Sequence, residues 1–178
     1  MTGSAWTFAN DAAIGTRSVN FTGATGEYGT IDESYQTMFS SPWSFSCWYK
    51  PSQGDMGQNL IPYLFKQVTQ NNSDSSSYYY LRHVGQKLLW VTKIGDIATY
   101  GSTFRYTSNN IFASGTGNGW SHIVCTVDNY GDPTIYVDGS SVTLDTDSTP
   151  NTLDISNYSN TSGMEIGNGG GYDYKIDD

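Results

Sequence analysis

Apolar and polar residues alternate along most of this chain, which is the two-residue period of a β-strand and not the 3.6-residue period of a helix. The clearest case is Gly119–Gly139, GWSHIVCTVDNYGDPTIYVDG. Every second residue of Ile123–Val127 shares one face of a predicted strand, and Thr134–Val137 resumes the pattern after a turn. The dipeptide Asp138-Gly139 then predicts a type I′ hairpin, which needs two residues at positive φ.

The same alternation predicts many further short strands separated by turn residues. They are Arg17–Phe21, Glu27–Ile31, Trp43–Lys50, Leu60–Val68, Tyr78–Val84, Lys87–Lys93, Ile97–Thr107, Ser141–Leu144, Leu153–Ile155, Met164–Gly167 and Tyr172–Ile176. Pro62 favours an edge position or a bulge in its strand, because proline cannot donate to a ladder. Only Asp32–Phe39 has helical spacing, enough for one or two turns with Asp32 as N-cap. The pattern therefore predicts an all-β protein, an antiparallel β-sandwich or jelly roll.

The length of 178 residues and the lack of an internal repeat predict one domain over residues 1–178. Tyr172–Asp178 begins like a core strand and stops two residues after Ile176. A sandwich strand that ends there leaves part of its hydrogen-bond ladder unmade. We expect the natural polypeptide to continue, or another segment to complete this C-terminal edge.

The amino-acid composition of the chain limits the kinds of molecule that it can bind. Aromatic residues make up 15% of the chain, so large rings supply much of the core. Seventeen acidic residues against eight Lys and Arg give a net charge of −9, and the basic residues are scattered along the sequence. Nucleic acids and anionic membranes are therefore excluded as general partners. No apolar run approaches the ~20 residues that a membrane-spanning helix needs, which argues against membrane insertion.

The two cysteines and the N-terminus bear on the cellular compartment. Cys47 and Cys125 each lie in the middle of a predicted strand on an apolar face. Two buried thiols are the simpler interpretation, and a disulfide is the alternative if the two strands face each other. The N-terminal residues contain neither a basic nor an apolar region of a signal peptide. A virion component, released by lysis, would need no such signal.

Eight motifs occur along the chain in an order that resembles laminin G-like domains of the concanavalin A-like lectin/glucanase superfamily. They are SVNFTGATGEYGTI, SFSCWYKP, LFK, YYYLRHVGQKLLWV, WSHIVCTVD, TIYVDG, MEIGN and YKIDD. The resemblance extends from about Ser18 to the C-terminus and implies a β-sandwich. It does not imply one function, because lectins, adhesion modules, pentraxin-like proteins, glycoside hydrolases and virion proteins share that architecture.

The resemblance also suggests how a hydrolase would be recognised. Hydrolases of this fold carry a Glu-x-Asp-x-x-Glu strand, and none of the three Glu residues here belongs to such a pattern. Asp173 and Asp177 would lie about 13 Å apart along a strand, too far for a retaining pair whose carboxyl groups lie ~5 Å apart. His83 and His122 lack a nucleophilic partner in the sequence pattern. We therefore expect no enzymatic activity and no catalytic residues.

Two kinds of binding site remain. Related domains often hold Ca²⁺ at the rim of the sandwich, which makes Asp74 and Asp173 candidate calcium ligands; no other cofactor is expected. For a glycan ligand, the candidates come from the central strands and are Tyr79, Arg82, Trp90 and Tyr100. Strand alternation sends Tyr78 and Tyr80 to one face and Tyr79 to the other, so that one set belongs to the core and the other is free for a ligand.

The sequence therefore favours a non-enzymatic recognition or assembly module at a virion surface or in the extracellular space. A phage decoration, fibre or tail-associated protein that displays a glycan-binding or adhesion domain is the first hypothesis. A secreted or cell-surface lectin module is the second, and a polysaccharide hydrolase is the third. The expected partners are a glycan or another cell-surface ligand, with a homo-oligomer or virion proteins as further partners.

Overall fold

The computed structural model of the chain is a sandwich of two antiparallel sheets. The structure describes residues 7–9, 12–15, 18–21, 28–31, 39–51, 63–67, 77–94, 102–112, 119–145, 153–158, 164–167 and 174–177. The strands of this part are β1 (Thr7–Ala9), β2 (Ser18–Phe21), β3 (Gly29–Ile31), β4 (Trp43–Pro51), β5 (Tyr63–Gln67), β6 (Tyr78–Val84), β7 (Lys87–Lys93), β8 (Ser102–Tyr106), β9 (Ser121–Val127), β10 (Pro133–Val137), β11 (Ser140–Ser141), β12 (Met164–Ile166) and β13 (Tyr174–Asp177).

The strands divide between the two sheets in an interleaved order. One sheet has seven strands in the order β1-β2-β13-β4-β9-β10-β11, and the other has six in the order β3-β12-β5-β6-β7-β8. Neighbours in sequence often pair, as in the β6–β7 and β9–β10 hairpins, while β12 and β13 return from the end of the chain to the interior of each sheet. The predicted all-β antiparallel sandwich is thus confirmed.

The predicted Asp138-Gly139 hairpin is confirmed in detail. Asp138 has φ 50° and Gly139 has φ 80°, as a type I′ turn requires, and Val137 pairs with Ser140 across the turn. The Asp138 carboxylate also accepts a hydrogen bond of 2.8 Å from the backbone N–H of His122. A turn that binds its neighbouring strand in this way holds the end of β9 and β10 in register.

The strand predicted over Leu153–Ile155 is wrong. Ile155–Asn157 forms a 3₁₀ turn, and the side chain of Asp154 caps it by accepting a hydrogen bond of 3.0 Å from the backbone N–H of Ser156. Aspartate offers the backbone this local alternative to a ladder, and that preference outweighs the short apolar alternation. The helical turns predicted over Asp32–Phe39 lie outside the described residues apart from Phe39, which is buried.

The C-terminal strand lies inside its sheet. β13 pairs with β2 through Ile176 and Val19 and with β4 through Ile176 and Tyr49. Over its described length it therefore has a partner strand on both sides. The continuation expected beyond Asp178 stays a prediction. Within the described part of the chain, none of the helical segments has the length and apolar character required to cross a membrane.

The core between the sheets is built around Trp43. Its ring lies 4.7 Å from the ring of Phe39, 5.3 Å from that of Tyr79, 5.3 Å from that of Phe65 and 5.8 Å from that of Trp90, measured between centroids. Edge-to-face contacts dominate this set, which is the favoured geometry of aromatic pairs. Strands from both sheets supply these rings, so the cluster joins the two layers.

The two cysteines are confirmed as buried thiols. Cys47 on β4 pairs with Ile123 on β9, and Cys125 on β9 pairs with Phe45 on β4. Both are free, so the disulfide alternative is wrong in this structure. Burial raises the pKa of each thiol far above its usual value, because a thiolate would lose its hydration between the sheets.

We expect neither thiol to react with a thiol-specific reagent while the protein is folded, since the thiolate is the reactive species. Titration with Ellman's reagent at pH 8 should release almost no chromophore from the native protein and two equivalents after addition of denaturant. Stoichiometric labelling before unfolding would contradict the buried placement of Cys47 and Cys125.

A substitution at Gly167 tests how closely the two sheets pack at the end of β12. It has φ 79°, and a Cβ atom there would lie 2.2 Å from the ring of Phe21. Gly139 has a similar φ of 80° with nothing within 4 Å of the added atom, so it serves as the matched control. We expect Gly139→Ala to lower the free energy of unfolding by about 1 kcal/mol. Gly167→Ala should cost at least about 2 kcal/mol more, because Phe21 must move.

The two substitutions are compared by urea denaturation. Equal losses of stability in Gly139→Ala and Gly167→Ala would show that Phe21 does not pack on Gly167 as described here. A larger loss for Gly167→Ala isolates the steric contribution from the backbone strain that both positions share.

Candidate functional site

The strand β6 divides its side chains between two environments. Its burial alternates along all seven residues, with Tyr79, Leu81 and His83 buried and Tyr78, Tyr80, Arg82 and Val84 half-buried. The first set faces the other sheet, because Tyr79 contacts Trp43 there. The second set therefore lies on the opposite face of the six-stranded sheet.

The prediction that Tyr79 and Trp90 bind a glycan is wrong. Tyr79 and Trp90 have no exposed surface, so neither ring can stack on a sugar. Tyr79 donates a hydrogen bond of 3.2 Å to the carbonyl of Phe39, and Trp90 Nε1 donates one of 2.6 Å to Thr92 Oγ1. Both rings are held inside the core by these bonds and by the cluster around Trp43. The alternation of β6 was predicted correctly, but Tyr79, a residue of its core face, was taken as a ligand-binding candidate together with Arg82 of the outward face.

The other predicted site residues have different outcomes. Arg82 lies on the outward face of β6 and is half-buried there. Tyr100 and the candidate calcium ligands Asp74 and Asp173 lie outside the described residues, so their roles stay predictions. No three His, Cys, Asp or Glu side chains of the described ranges come together as a possible metal-binding group.

A cluster of tyrosines and basic residues covers the outward side of β5, β6 and β7. We call it the outer tyrosine face, and it consists of Tyr63, Lys66, Tyr78, Tyr80, Arg82 and Lys93. The sheet register assembles it, since Tyr63 pairs with Arg82, Lys66 with Tyr80, and Tyr78 with Lys93. Residues that pair directly across antiparallel strands project to the same side of the sheet.

A bulge in β5 is needed to complete this face. The register shifts between Tyr63 and Phe65, so that Tyr63 and Lys66, three residues apart, both project outward while Leu64 and Phe65 are buried. Strict alternation would place Tyr63 and Lys66 on opposite faces. Sequence reasoning missed both residues for this reason, although Pro62 had pointed to an irregularity in this strand.

The tyrosine rings of this face are ordered against each other. Tyr78 and Tyr80 are stacked, with centroids 5.8 Å apart and ring planes inclined by 9°. Tyr63 meets Tyr80 edge-on, at 5.3 Å and 89°. Tyr78 and Tyr80 therefore form a nearly parallel pair of rings along one strand, and Tyr63 packs edge-on against Tyr80. Tyr106, 39% exposed, lies on the same side of the sheet two strands away from Arg82.

Three basic side chains lie over these rings. The guanidinium carbon of Arg82 is 5.3 Å from the centroid of Tyr80 and 6.0 Å from that of Tyr63. The Lys66 ammonium is 5.3 Å from the Tyr63 centroid, and the Lys93 ammonium is 5.6 Å from the Tyr78 centroid. Each contact is within the ~6 Å range of cation–π attraction. The rings thus position the positive charges, and Lys66 also lies 3.7 Å from the Glu165 carboxylate.

The phenols of Tyr78 and Tyr80 remain neutral at physiological pH. Burial raises the pKa of Tyr78, and the neighbouring phenol of Tyr63 raises it further. Burial is also the main cause that raises the pKa of Tyr80, against the lowering effect of the Arg82 charge. Neutral phenols can donate and accept hydrogen bonds, and their flat faces can accept apolar C–H groups. This arrangement is suited to binding a polar ligand with an apolar side.

The tyrosine pKa shifts predict a loss of stability at alkaline pH. A folded-state pKa above the ordinary tyrosine value of 10.0 means that the unfolded chain releases the proton first. The stabilisation is complete below about pH 10 and is lost as the pH rises toward the folded-state value. Urea unfolding between pH 8 and 11.5 should therefore show a falling free energy of unfolding, and Tyr80→Phe should make that fall shallower.

Tyr130 provides the control for this titration. Its side chain is 61% exposed on the β9–β10 turn, so its surroundings change less on unfolding than those of Tyr80. Tyr130→Phe also removes one phenol, so the difference between its slope above pH 10 and that of Tyr80→Phe isolates the effect of the half-buried position. The same slope in wild type and Tyr80→Phe would show that Tyr80 is not in the half-buried position described here.

Comparisons with known proteins agree with this fold. The family model for the concanavalin A-like lectin/glucanases superfamily, laminin G type, matches residues 4–178. Among curated protein sequences there is no significant match. The binding domain of Paraclostridial Mosquitocidal Protein 1 is a similar solved structure, with a TM-score of 0.65, 16% identity, and coverage of 99% of this chain and 42% of that one.

Two botulinum neurotoxin structures are similar to the same extent. A type C neurotoxin structure aligns with a TM-score of 0.64 and 13% identity over 99% of this chain and 40% of that one. The receptor-binding domain of botulinum neurotoxin D aligns with a TM-score of 0.63 and 14% identity over 100% of this chain and 42% of that one. The chain spans about two-fifths of the length of these proteins, and identities this low show a shared fold alone.

Proposed function

Since the chain belongs to the concanavalin A-like lectin/glucanase superfamily, which contains both sugar-binding and sugar-cleaving proteins, we propose that it is a non-enzymatic carbohydrate-recognition module. We infer that it binds glycans on the outer tyrosine face. The observation that carries this proposal is the stacked pair Tyr78 and Tyr80, half-buried on the outward side of the sheet and bordered by Arg82 and Lys66.

The chemistry of this face suits a saccharide. A sugar ring has an apolar side of C–H groups, which can pack on a flat aromatic ring, and a rim of hydroxyls, which needs hydrogen-bond partners. Tyr78 and Tyr80 offer the part of their rings left exposed beside Arg82 and Lys93, and the phenolic O–H groups with Arg82 and Lys66 offer the partners. A binding site of mostly apolar surface with a few positioned polar groups is the usual composition of ligand sites.

The carboxylates support a binding role over a hydrolytic one. Glycoside hydrolysis generally uses two carboxyl groups about 5–9.5 Å apart on either side of the scissile bond. The described part of the outer tyrosine face has one neighbouring carboxylate, Glu165, and it forms an ion pair with Lys66 at 3.7 Å. One carboxylate held in an ion pair does not provide the two carboxyl groups that hydrolysis uses.

The similar structures are consistent with surface recognition. The mosquitocidal protein and botulinum neurotoxin D structures are binding domains, and neurotoxin type C depends on interaction with two ganglioside molecules to enter cells. By analogy, we infer that this module also works outside the cytoplasm, at a cell or particle surface. Display on a virion, and the assembly partners that it would require, stay predictions of the sequence analysis.

A glycan array tests the proposal. We expect the purified protein to bind a restricted set of glycans, and Tyr78→Ala to weaken that binding by about fivefold or more, as the loss of roughly 1 kcal/mol of ring contact predicts. Tyr130→Ala is the control. Tyr130 is an exposed tyrosine on the β9–β10 turn and does not belong to the outer tyrosine face. Circular dichroism and the melting temperature should show that both variants fold.

Two results would overturn the proposal. The first is the absence of saturable binding to any glycan on the array. The second is equal binding by wild type and Tyr78→Ala, which would place the glycan elsewhere on the molecule. Turnover of an oligosaccharide, detected as new reducing ends, would separately contradict the non-enzymatic part.

A further inference from the structure

We propose that the outer tyrosine face selects acidic saccharides, and that Arg82 receives their carboxylate or sulfate group. This inference rests on the proposed glycan-binding function and deepens it by naming the class of ligand. The observations that carry it are the distribution of positive charge over the chain and the lack of carboxylate partners around Arg82.

The outer tyrosine face carries a cluster of positive charge, although the chain as a whole is acidic. The protein has eight Lys and Arg against seventeen Asp and Glu, and three of those eight basic residues lie on the outer tyrosine face. Glu165 neutralises Lys66 in part, which leaves Arg82 and Lys93. Clusters of one charge sign on a protein of the opposite sign raise the local concentration of a complementary ligand.

Two basic residues elsewhere in the described structure are paired with acids. Arg105 Nη2 lies 3.0 Å from the Asp132 carboxylate, and Lys87 lies 3.7 Å from that of Asp145. Arg82 has no such carboxylate within 4 Å among the described residues, and the same holds for Lys93. The charges on Arg105 and Lys87 are thus compensated within the fold, whereas those on Arg82 and Lys93 have no carboxylate partner among the described residues.

The surroundings of Arg82 disfavour a guanidinium group that has no anionic partner. Rings hold its guanidinium, and its Nε–H is shielded from water without a hydrogen-bond acceptor among the described residues. A partly desolvated cation without an acidic partner raises the free energy of the unbound protein. An oxyanion from a ligand would supply the absent countercharge, and guanidinium matches the two oxygens of a carboxylate or sulfate in a forked geometry.

The position of Arg82 relative to the rings fits a sugar with a charged substituent. Arg82 follows Tyr80 by two residues on the same face of β6, a spacing of about 6.8 Å along a strand. A sugar ring packed on Tyr78 or Tyr80 can therefore direct its anionic group toward Arg82. Lys93 is only 4% exposed, so it adds positive potential and not a direct contact.

The overall charge of −9 does not cancel this local attraction. At physiological ionic strength, charges farther apart than about 8 Å are largely screened, so a bound anion responds mainly to the groups beside it. Acidic residues on distant surfaces then reduce the rate of encounter more than the strength of the contact.

The test uses an array of matched oligosaccharides that share a neutral core and carry no charge, a carboxylate or a sulfate. We expect the acidic members to bind at least about tenfold more tightly than their neutral counterparts. Arg82→Gln should reduce binding of the acidic members by roughly ten- to a hundredfold and weaken the neutral members distinctly less, because glutamine still hydrogen-bonds hydroxyls but carries no charge. Arg82→Lys should restore part of the loss, and the two acidic arms distinguish carboxylate from sulfate as the preferred group.

Lys87→Gln is the charge-matched control. It removes the same single positive charge, but at an exposed pair with Asp145, so the net charge of the protein changes equally. Binding to the acidic glycans should remain within about twofold of wild type, since surface pairs of this kind contribute little to stability. An equal loss in Lys87→Gln and Arg82→Gln would overturn the proposal, because it would reduce the effect to net charge.

The remaining outcomes separate this inference from the proposed function. Equal binding of neutral and acidic members, with sensitivity to Tyr78→Ala, would sustain glycan recognition and overturn the acidic preference. Binding of acidic members that is insensitive to Arg82→Gln would overturn the role of Arg82. No binding to any member would overturn the proposed function and this inference together.

Discussion

The alternation of β6 is the constraint on which both the core and the candidate site depend. Because successive side chains of a strand point to opposite faces, Tyr79 can reach the cluster around Trp43 only if Tyr78 and Tyr80 point outward. The pairing of β6 with β5 and β7 fixes that register, and a shift of one residue would exchange the two sets. The packing energy of the aromatic core therefore also maintains the outer tyrosine face, although no residue of that face lies in the core.

Sequence reasoning reached the fold through periodicity and turn chemistry, both of which are local. The Asp138-Gly139 turn and the Tyr78–Val84 strand were predictable because the signals lie within a few residues of each other. The direction in which Tyr79 points was not predictable, because alternation separates two faces without saying which one another sheet will cover. The partnership of Tyr63 with Lys66 depends on a bulge, and a bulge changes the side-chain period without a reliable sequence signal.

The fold excludes fewer functions for this chain than the residues of the candidate site do. Identities of 13–16% with toxin binding domains are enough for a sandwich core to be retained, since a core tolerates substitutions that keep volume and pattern. They are too low for the ligand-contacting side chains to be assumed common. Membership of a superfamily that contains both lectins and glucanases leaves the two classes open, and the residues on the outward face of the sheet have to decide between them.

Basic side chains that have a carboxylate partner serve stability, whereas a basic side chain without one is available for function. Arg105 with Asp132 and Lys87 with Asp145 contribute locally compensated charge to the edges of the sandwich. Arg82 instead is held by tyrosine rings, an arrangement that keeps its charge in place but leaves it uncompensated by any carboxylate in the described part of the chain. Selection for stability alone would favour an acidic neighbour at that position, and this chain has seventeen acids from which to supply one. An uncompensated arginine beside two stacked rings is therefore better explained by a ligand that carries the missing negative charge.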